Sequence, residues 1–400
     1  MKLKFLACCL AMTGAALLTV PASAQISDSV VKIGMLDDMS GPFSDYSGPG
    51  AVEAMKLAVE DFGGNINGKK IELLTFDHQN KADLAANKAR EWYDEQHVDL
   101  VISHGLSSAG LAITKVALEK HKLSVSNSGA IQITNEQCSP YTVRFGMNTV
   151  NWARSMGKAI VEQGGKTWFF ISLDSAFGTA LQADTQAVIE KEGGTIVGTV
   201  RNPAGASDFA AFMLQALASK AQILGLANAG SDLVNAIKAA NEFGVTKTMK
   251  LAGWIFPTDV DALGLNLTKN MYMADAWYWD QDEQSRAWSK RYFAKMGRMP
   301  TSQQAVAYSV VFQFLTAVKA TGKDDADSVL AYWKSNKLND MYIRGGELQP
   351  DGSIKRDLKL FQVKTPEESK GKWDYFKILQ SVPGDAVYLT KAETKCQYWK

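Results

Sequence analysis

The stretch VVKIGMLDDMSGPFSDYSGPG, residues 30–50, decides the fold of this chain. Its first seven residues are apolar except for Lys32 and Gly34, a pattern that predicts a β-strand. The Gly-Pro-Gly at its end opens a segment whose apolar residues recur at spacings of three, four and three, which predicts an amphipathic helix. These apolar residues are Val52, Met55, Val59 and Phe62. A second strand is predicted at 71–74, and strand, helix and strand at this rhythm indicate a parallel sheet covered by helices.

The same alternation continues to about residue 256. Further strands are predicted at 99–102, 123–126, 168–171, 195–200, 223–226 and 251–256. Further helices are predicted at 82–96, 109–121, 150–163, 177–191, 208–219, 283–296 and 302–320, with one more around 233–240. Ser207 or Asp208 is the expected N-cap of the helix at 208–219. A hairpin at 346–363, turning at 350–352, and an extended tail complete an α/β fold of two doubly wound parallel-sheet lobes with a cleft between them.

Charge and composition exclude several classes of protein. The 43 Lys and Arg nearly balance the 42 Asp and Glu, so there is no overall basic field for a nucleic acid partner. Four His and four Cys leave little material for a metal site, and the spacing of the His residues matches no zinc motif. We therefore expect no metal and no other cofactor.

The N-terminus has the features of a secretory signal peptide at 1–24. Lys2 and Lys4 precede an apolar core, and Ala22-Ser23-Ala24 provides the small residues that signal peptidase requires before Gln25. A lipoprotein is excluded because Cys8 precedes most of the apolar core. No later segment reaches the length of a transmembrane helix, so the mature protein is expected in the periplasm without membrane insertion.

Cleavage at that position leaves two cysteines, Cys138 and Cys396. In an oxidising compartment they are expected to form a disulfide that ties the first third of the chain to its tail. Two separately buried thiols are the alternative that the sequence leaves open.

Two patterns resemble enzyme motifs, and neither is complete. Residues 63–70, GGNINGKK, approach a phosphate-binding loop, but a helix precedes them, a strand follows, and Lys70 replaces the required hydroxyl. Residues 104–109, HGLSSA, resemble a nucleophile elbow around Ser107. His121 is the only later histidine, and that spacing cannot build a triad, so we expect no enzyme.

Small polar residues follow the predicted strands instead. Residues 39–48 follow the first strand, residues 105–108 the third and residues 126–130 the fourth. Ligands of open α/β sheets bind just outside the carboxyl ends of the strands. Serine hydroxyls beside the amides of a helix N-terminus suit a carboxylate, although one such cluster alone is typical of simple N-capping.

The order of these motifs resembles the periplasmic solute-binding proteins of ABC importers, of the branched-chain amino acid type. VKIGMLDDMSGPFSDYSG, AVEDFGG, NGKKIELLTFDHQ and the segment Ser207-Asp208-Phe209 carry the resemblance, which covers about 30–364. It implies a type I fold with three crossovers between the lobes, near 146–148, 273–276 and 346–359. The implied divisions are a first lobe at 25–146, a second lobe at 147–274, completion of the first at 275–346, and completion of the second with a tail at 347–400.

The resemblance also implies a ligand site. The family's carboxylate-binding positions match Ser107, Ser128 and Ala130, with Ser108 beside them, and its aromatic positions match Tyr46 and Phe177. Amino-acid binders hold the ammonium with a Tyr and an acid of the second lobe. The matching stretches here contain Asn228 and Trp254 instead.

This departure suggests a different ligand. An ammonium buried without its partners costs several kcal/mol, whereas a flat apolar group suits aromatic neighbours. We therefore predict capture of a small carboxylate with an aromatic or apolar body and its delivery to the membrane subunits of an ABC importer. The alternatives are a carrier of branched-chain or other small amino acids or amides, a ligand-sensing module, and an exported hydrolase. Trp277 and Trp279 either join the pocket or pack the hinge.

Overall fold

The computed structural model describes residues 26–45 and 47–400. The predicted signal peptide, its cleavage site and Tyr46 lie outside these residues. Among the described helices, no single one is long and apolar enough to cross a membrane, although the helices at Ser302–Thr321 and Ala326–Ser335, bent by 98°, pass that test together by length and composition.

The first sheet has six strands in the order β2-β3-β1-β4-β5-β6. Its pairs are parallel except for the short antiparallel pair β2–β3. The strands are β1 Val30–Asp37, β2 Asn65–Ile66, β3 Lys69–Asp77, β4 Leu100–Ser103, β5 Leu123–Ser126 and β6 Thr142–Val143. The helices between them are α1 Gly48–Asp61, α2 Ala82–Asp94 and α3 Ser107–Lys120.

The second sheet has four parallel strands in the order β10-β9-β7-β8. The strands are β7 Thr167–Leu173, β8 Thr195–Asn202, β9 Ile223–Ala227 and β10 Lys250–Gly253. Its helices are α4 Thr149–Trp152, α5 Lys158–Glu162, α6 Ala176–Lys191, α7 Ala210–Ser219, α8 Gly230–Glu242, α9 Pro257–Leu263 and α10 Leu265–Thr268. The expected α/β class with two doubly wound sheets is confirmed.

The C-terminal third returns to both sheets. Helices α11 Glu283–Met296 and α12 Ser302–Thr321 pack against α1 of the first sheet, and α13 Ala326–Ser335 packs on α12. A three-stranded antiparallel sheet is formed by β11 Tyr272–Asp275, β14 Leu358–Val363 and β15 Phe376–Val382, and a short helix α14 Gly384–Val387 follows.

Several local predictions were wrong. The single hairpin expected at 346–363 is two units, because β12 Glu347–Leu348 pairs with β13 Ile354–Lys355 while β14 pairs with β11 and β15. The expected helix at 150–163 contains a π-helical segment, Ala153–Gly157. The strand expected at 251–256 ends at Gly253.

The start of α7 also differs from the prediction. Phe209 occupies its N-cap position, and no side chain caps the helix there. Asp208 accepts a hydrogen bond from the Ala210 amide at 2.8 Å, two residues along, so its carboxylate closes a local turn before the helix.

A disulfide joins Cys138 to Cys396, as the cysteine count predicted. Both residues are buried. The bond fixes the C-terminal tail beside the 3₁₀ turn Ile131–Thr134 that follows β5. The lobe limits inferred from the sequence stay a prediction, and the disulfide shows only that the tail ends beside the segment that connects β5 to β6.

Candidate ligand-binding cleft

The carboxyl ends of strands from both sheets face one cavity. It contains about 570 Å³ of space between protein atoms, part of it open to solvent. From the first-sheet side it is lined by Phe43, residues 105–108, Asn127, Gly129 and Gln303. From the second-sheet side it is lined by residues 175–177, Ala229, Trp254 and Phe256.

Ser107 begins α3 at the edge of this cavity. Its side chain is buried, and its Oγ accepts a hydrogen bond from the Ala130 amide at 3.2 Å. The hydroxyl hydrogen then remains to be donated to a ligand. Ser108 lines the same cavity and is exposed. The first turn of α3 therefore presents a hydroxyl and free helix amides together, the chemistry that the sequence predicted for a carboxylate.

Ser128 and Ala130 lie behind that surface and are not among the lining residues. The Ser128 Oγ forms a hydrogen bond of 2.9 Å with the Ser126 Oγ. It also packs so closely on α3 that a side chain at Gly110 would collide with it. The amide of Ala130, expected to face a ligand, is used by Ser107. Gly129 between them is the residue that reaches the cavity.

Asn127 belongs to the predicted polar loop at 126–130 but was not named as a ligand residue, and it joins the cavity to the first crossover. Its Oδ1 accepts hydrogen bonds from the amides of Phe145 and Gly146 at 3.0 and 2.8 Å. Its Nδ2 lies 2.9 Å from Nε2 of His104. Because the oxygen is occupied by two amides, the NH2 group must donate to His104, which places the histidine proton on Nδ1. Burial lowers the pKa of His104 to about 3, so the ring is neutral.

A buried carboxyl lies under the cavity floor. Asp37, at the end of β1, accepts a hydrogen bond from the Gly48 amide at 3.0 Å, and its Oδ1 has no partner. Burial raises its pKa to about 7. Gly105, which lines the cavity, has φ +59°, and a Cβ there would lie 3.1 Å from Asp37 Oδ1. A glycine is favoured at this position because other residues rarely adopt this positive φ and because a Cβ would press on the Asp37 carboxyl.

The opposite wall is aromatic. The rings of Phe177 and Trp254 lie 5.9 Å apart, and those of Trp254 and Phe256 6.3 Å apart. Trp152 stacks on Trp254 from behind at 6.3 Å. A Cβ on Gly129 would lie 2.7 Å from the Phe177 ring and 3.5 Å from Trp254. The serine side and the aromatic side of the cavity therefore meet at Gly129.

The remaining predicted residues lie elsewhere. Asn228 is buried and donates to Asn202 Oδ1 at 2.7 Å, while its neighbour Ala229 lines the cavity. Trp277 donates from Nε1 to the Met341 carbonyl at 3.1 Å, and Trp279 donates to the Trp373 carbonyl at 3.0 Å. Neither is a lining residue, so these two tryptophans pack the protein interior. The position of Tyr46 relative to the cavity is not described.

Helix ends contribute to the electrostatics of the cavity. Within residues 26–45 and 47–400, no lining residue carries a charged side chain. Five helices present their N-terminal residues to it instead, and the positive ends of their dipoles favour an anion. The residues concerned are Ser107 of α3, Ser175 of α6, Ala229 of α8, Phe256 of α9 and Gln303 of α12.

Comparison with known proteins identifies the family. Residues 30–372 match the periplasmic binding protein family. The chain belongs to that family. This confirms the resemblance on which the ligand site was first assigned, and it makes this protein a solute-binding component of an ABC transporter.

Solved relatives of this periplasmic binding protein share the fold along nearly its whole length. A periplasmic binding protein from Burkholderia mallei is 52% identical, with a TM-score of 0.91, over 93% of this chain and 100% of that one. A branched chain amino acid ABC transporter periplasmic ligand-binding protein from Burkholderia xenovorans LB400 is 37% identical, with a TM-score of 0.82, over 92% and 100%.

A more distant relative has a curated description. The Leu/Ile/Val-binding protein homolog 4 of Brucella abortus is 22% identical over 248 residues, 58% of each chain. This chain therefore spans less than two thirds of that relative's length. In the part of the chain that the structure describes, no group of three or more His, Cys, Asp or Glu side chains could hold a metal ion.

Proposed function

We propose that this binding protein captures a small aromatic carboxylate in the cleft and delivers it to the membrane subunits of an ABC importer. One observation carries the proposal: a single cavity with a serine and helix amides on one side and three aromatic rings on the other. A benzoate-like ligand matches both sides at once. Its carboxylate suits the Ser107 end, and its ring suits the Phe177, Trp254 and Phe256 end.

The carboxylate assignment rests on the donors and on the helix dipoles. The Ser107 hydroxyl and the first amides of α3 are hydrogen-bond donors, and donors at a helix N-terminus favour an anionic acceptor. Charge-assisted hydrogen bonds of this kind contribute more than neutral ones. No lining cation is needed for this arrangement.

The absence of an acid from the described lining distinguishes this ligand from an amino acid. A zwitterion would bring an ammonium into a region of positive helix ends, among rings and amides. Burying that group without a carboxylate partner opposes binding. A branched-chain amino acid is therefore the second candidate and a defined outcome of the test below.

Structural relatives make both ligand classes reasonable for the fold. A solute binding protein from Rhodopseudomonas palustris BisB5, 21% identical with a TM-score of 0.81, was solved with 3,4-dihydroxybenzoic acid. A second from R. palustris, 17% identical with a TM-score of 0.80, was solved with benzoate. A Thermotoga maritima protein, 18% identical with a TM-score of 0.78, is a leucine binding protein. At these identities the likeness is one of fold.

The family implies a periplasmic location, and the predicted cleavage before Gln25 would provide the route of export. Mass spectrometry of the protein isolated from the periplasm would test the cleavage site, with an N-terminus at Gln25 expected. An N-terminus elsewhere would contradict the predicted cut.

The ligand class is tested by thermal unfolding of the mature protein with benzoate, 4-hydroxybenzoate, cyclohexanecarboxylate, leucine and benzamide. A ligand at 100 times its Kd stabilises the native state by about 2.7 kcal/mol. We expect the aromatic acids to raise Tm most and benzamide to raise it little. Stabilisation by leucine alone would reject the aromatic assignment and support the amino-acid alternative.

A further inference from the structure

A buried arginine lies directly behind the loop that forms the anion side of the cleft. Arg144, between β6 and the first crossover, has no exposed surface. Its Nη1 donates to the Ser128 carbonyl and, at 3.3 Å, to the Met147 carbonyl. Its Nη2 donates to the Ala130 carbonyl at 2.7 Å. The guanidinium therefore holds the two carbonyls that flank Gly129.

These bonds determine which way the loop amides point. In a trans peptide the N–H points opposite to the preceding C=O. Since the Ser128 carbonyl faces Arg144, the Gly129 N–H points away from it, and no residue of the described chain accepts that hydrogen. The Gly129 carbonyl is held by the Thr149 amide at 3.0 Å, which directs the Ala130 N–H toward the Ser107 Oγ.

The charge of Arg144 is only weakly compensated within the protein. In the described chain no carboxylate oxygen lies within 4.0 Å of it, and its Nε has no hydrogen-bond partner. Asp351 is the acidic group that acts on it most strongly. Burial lowers the pKa of Arg144 to about 9, which leaves the guanidinium charged at neutral pH. A buried charge of this kind is stabilised by an opposite charge brought nearby.

We infer that Arg144 is the positioning residue that makes the cleft selective for anions: it orients the Gly129 amide and supplies, from behind the loop, the positive charge that an anionic ligand neutralises. This rests on the proposed function, because it assumes that a carboxylate binds at Ser107 and Gly129. Arg144 does not touch the ligand and acts through the peptide groups of residues 128–130.

The backbone of Arg144 is also bonded to a turn in the C-terminal part of the chain. The Arg144 amide donates to the Gly352 carbonyl at 2.8 Å, and its carbonyl accepts from the Ile354 amide at 3.0 Å. Arg144 is thus fixed to the turn that joins β12 and β13. The turn also carries Asp351, whose carboxylate is bound by the amide of Ser353 at 2.8 Å and its hydroxyl at 2.6 Å.

The test compares benzoate with benzamide, which has nearly the same shape and no charge. We expect Arg144→Gln to raise the Kd for benzoate by roughly 10- to 30-fold and that for benzamide by less than about threefold. Arg144→Lys keeps the charge and should restore benzoate affinity to within about fivefold of wild type. Equal losses for both compounds, or no loss for benzoate, would overturn the inference.

Two further variants keep the test decisive. Arg356→Gln removes another buried arginine, which stacks on Tyr342, and should leave the Kd for benzoate within about twofold of wild type, as a matched control. Asp351→Asn removes the negative charge that acts on Arg144, with little change of shape. It should lower the Kd for benzoate by about two- to threefold and leave the Kd for benzamide unchanged. If Arg144→Gln does not fold, an unaltered benzoate Kd in Asp351→Asn would overturn the inference.

Failure of the proposed function gives a different pattern. If wild-type protein binds leucine in place of benzoate, the aromatic assignment fails, and the same variants are compared with leucine and leucinamide, which differ by one carboxylate. Selective loss of leucine binding would still support the role of Arg144. Binding of neither carboxylate by the wild-type protein would overturn both proposals.

Discussion

The two sides of the cleft differ in how their residues are held. On the first-sheet side, Ser107, Asn127 and Gly129 belong to one hydrogen-bonded network that continues to the first crossover. On the second-sheet side, Phe177 and Trp254 are held by ring packing on Trp152 and Phe256. Directional bonds fix the polar side, whereas shape and buried area fix the aromatic side.

This difference indicates which aspect of ligand selectivity each side of the cleft determines. Hydrogen bonds depend on atoms placed within tenths of an ångström, so the polar side is suited to recognising a charged group. Packing against ring faces tolerates small displacements of the ligand, so the aromatic side is suited to selecting ligands by size and apolar area. A variant on either side should therefore change a different property of binding.

The largest expected effect is that of Trp254→Ala on ligand affinity. Loss of the central ring removes stacking and buried area, and we expect about 2 to 3 kcal/mol of binding free energy, or a 30- to 150-fold rise in the Kd for benzoate by calorimetry. Trp373→Ala is the matched control, since that tryptophan is equally buried but does not line the cavity. It should lower Tm and leave the Kd unchanged. A similar Kd for both variants would contradict the aromatic side of the comparison.

Ser107→Ala should have the next largest effect. It removes a donor to the ligand and leaves the Ala130 amide without its acceptor, which together cost about 1 to 1.5 kcal/mol, or 5- to 10-fold in the Kd for benzoate. Ser124→Ala, which breaks a buried 2.8 Å hydrogen bond to Thr142 away from the cavity, is the control. If Ser107→Ala and Ser124→Ala change the Kd for benzoate by the same factor, Ser107 is not part of the anion side.

Asp37→Asn isolates the carboxyl beneath the cleft. The pKa of Asp37 is raised to about 7, so the native state retains its proton where the unfolded state has lost it. Its stabilising contribution is present at low pH and lost as pH rises through 7. The stability of wild type minus that of Asp37→Asn should therefore increase by about 1 kcal/mol from pH 7 to pH 6, by urea unfolding. A pH-independent Asp37→Asn difference would reject the shifted pKa of Asp37.

Ser128→Ala should have the smallest effect on binding. Because its hydroxyl bonds to Ser126 and faces α3, we expect a change in Kd below about twofold, with a loss of about 1 kcal/mol in unfolding free energy. Fluorescence titration with benzoate measures the Kd, and urea unfolding measures the unfolding free energy. A tenfold loss of affinity would mean that Ser128 turns toward the ligand, as the family resemblance originally suggested.

Much of the fold followed from periodicity. Strand β5 was predicted with its observed limits, and most other elements of the two sheets lie within a few residues of their predicted limits. Buried parallel strands and the helices that cover them leave a strong apolar pattern, because their packing depends on every second or fourth side chain. The C-terminal strands have a weaker apolar pattern in the sequence. Strand β15, with mostly exposed residues, is held by pairing to β14 and carries little pattern of its own.

The site was predictable in part, for a similar reason. Ser107, Ser108, Phe177 and Trp254 follow strand ends, and each lines the cavity. Asn127 also follows a strand and was within reach of the same argument. The role of Arg144 could not be predicted in this way. Its side chain packs under a loop that lies 14 residues earlier in the chain. Only the packing of β6 beside β5 brings the two segments together.

The order of apolar runs and glycines, by itself, determined two wound sheets and predicted their carboxyl ends as the ligand side, and the number of cysteines made a bond between Cys138 and Cys396 the expected outcome. Those features depend on local periodicity, backbone chemistry and the number of cysteines. Which hydroxyl faces the cleft and which is turned into α3, and where a buried positive charge lies, were decided by tertiary structure. Hydrogen-bond direction depends on distances between segments far apart in the chain, and a sequence does not contain those distances.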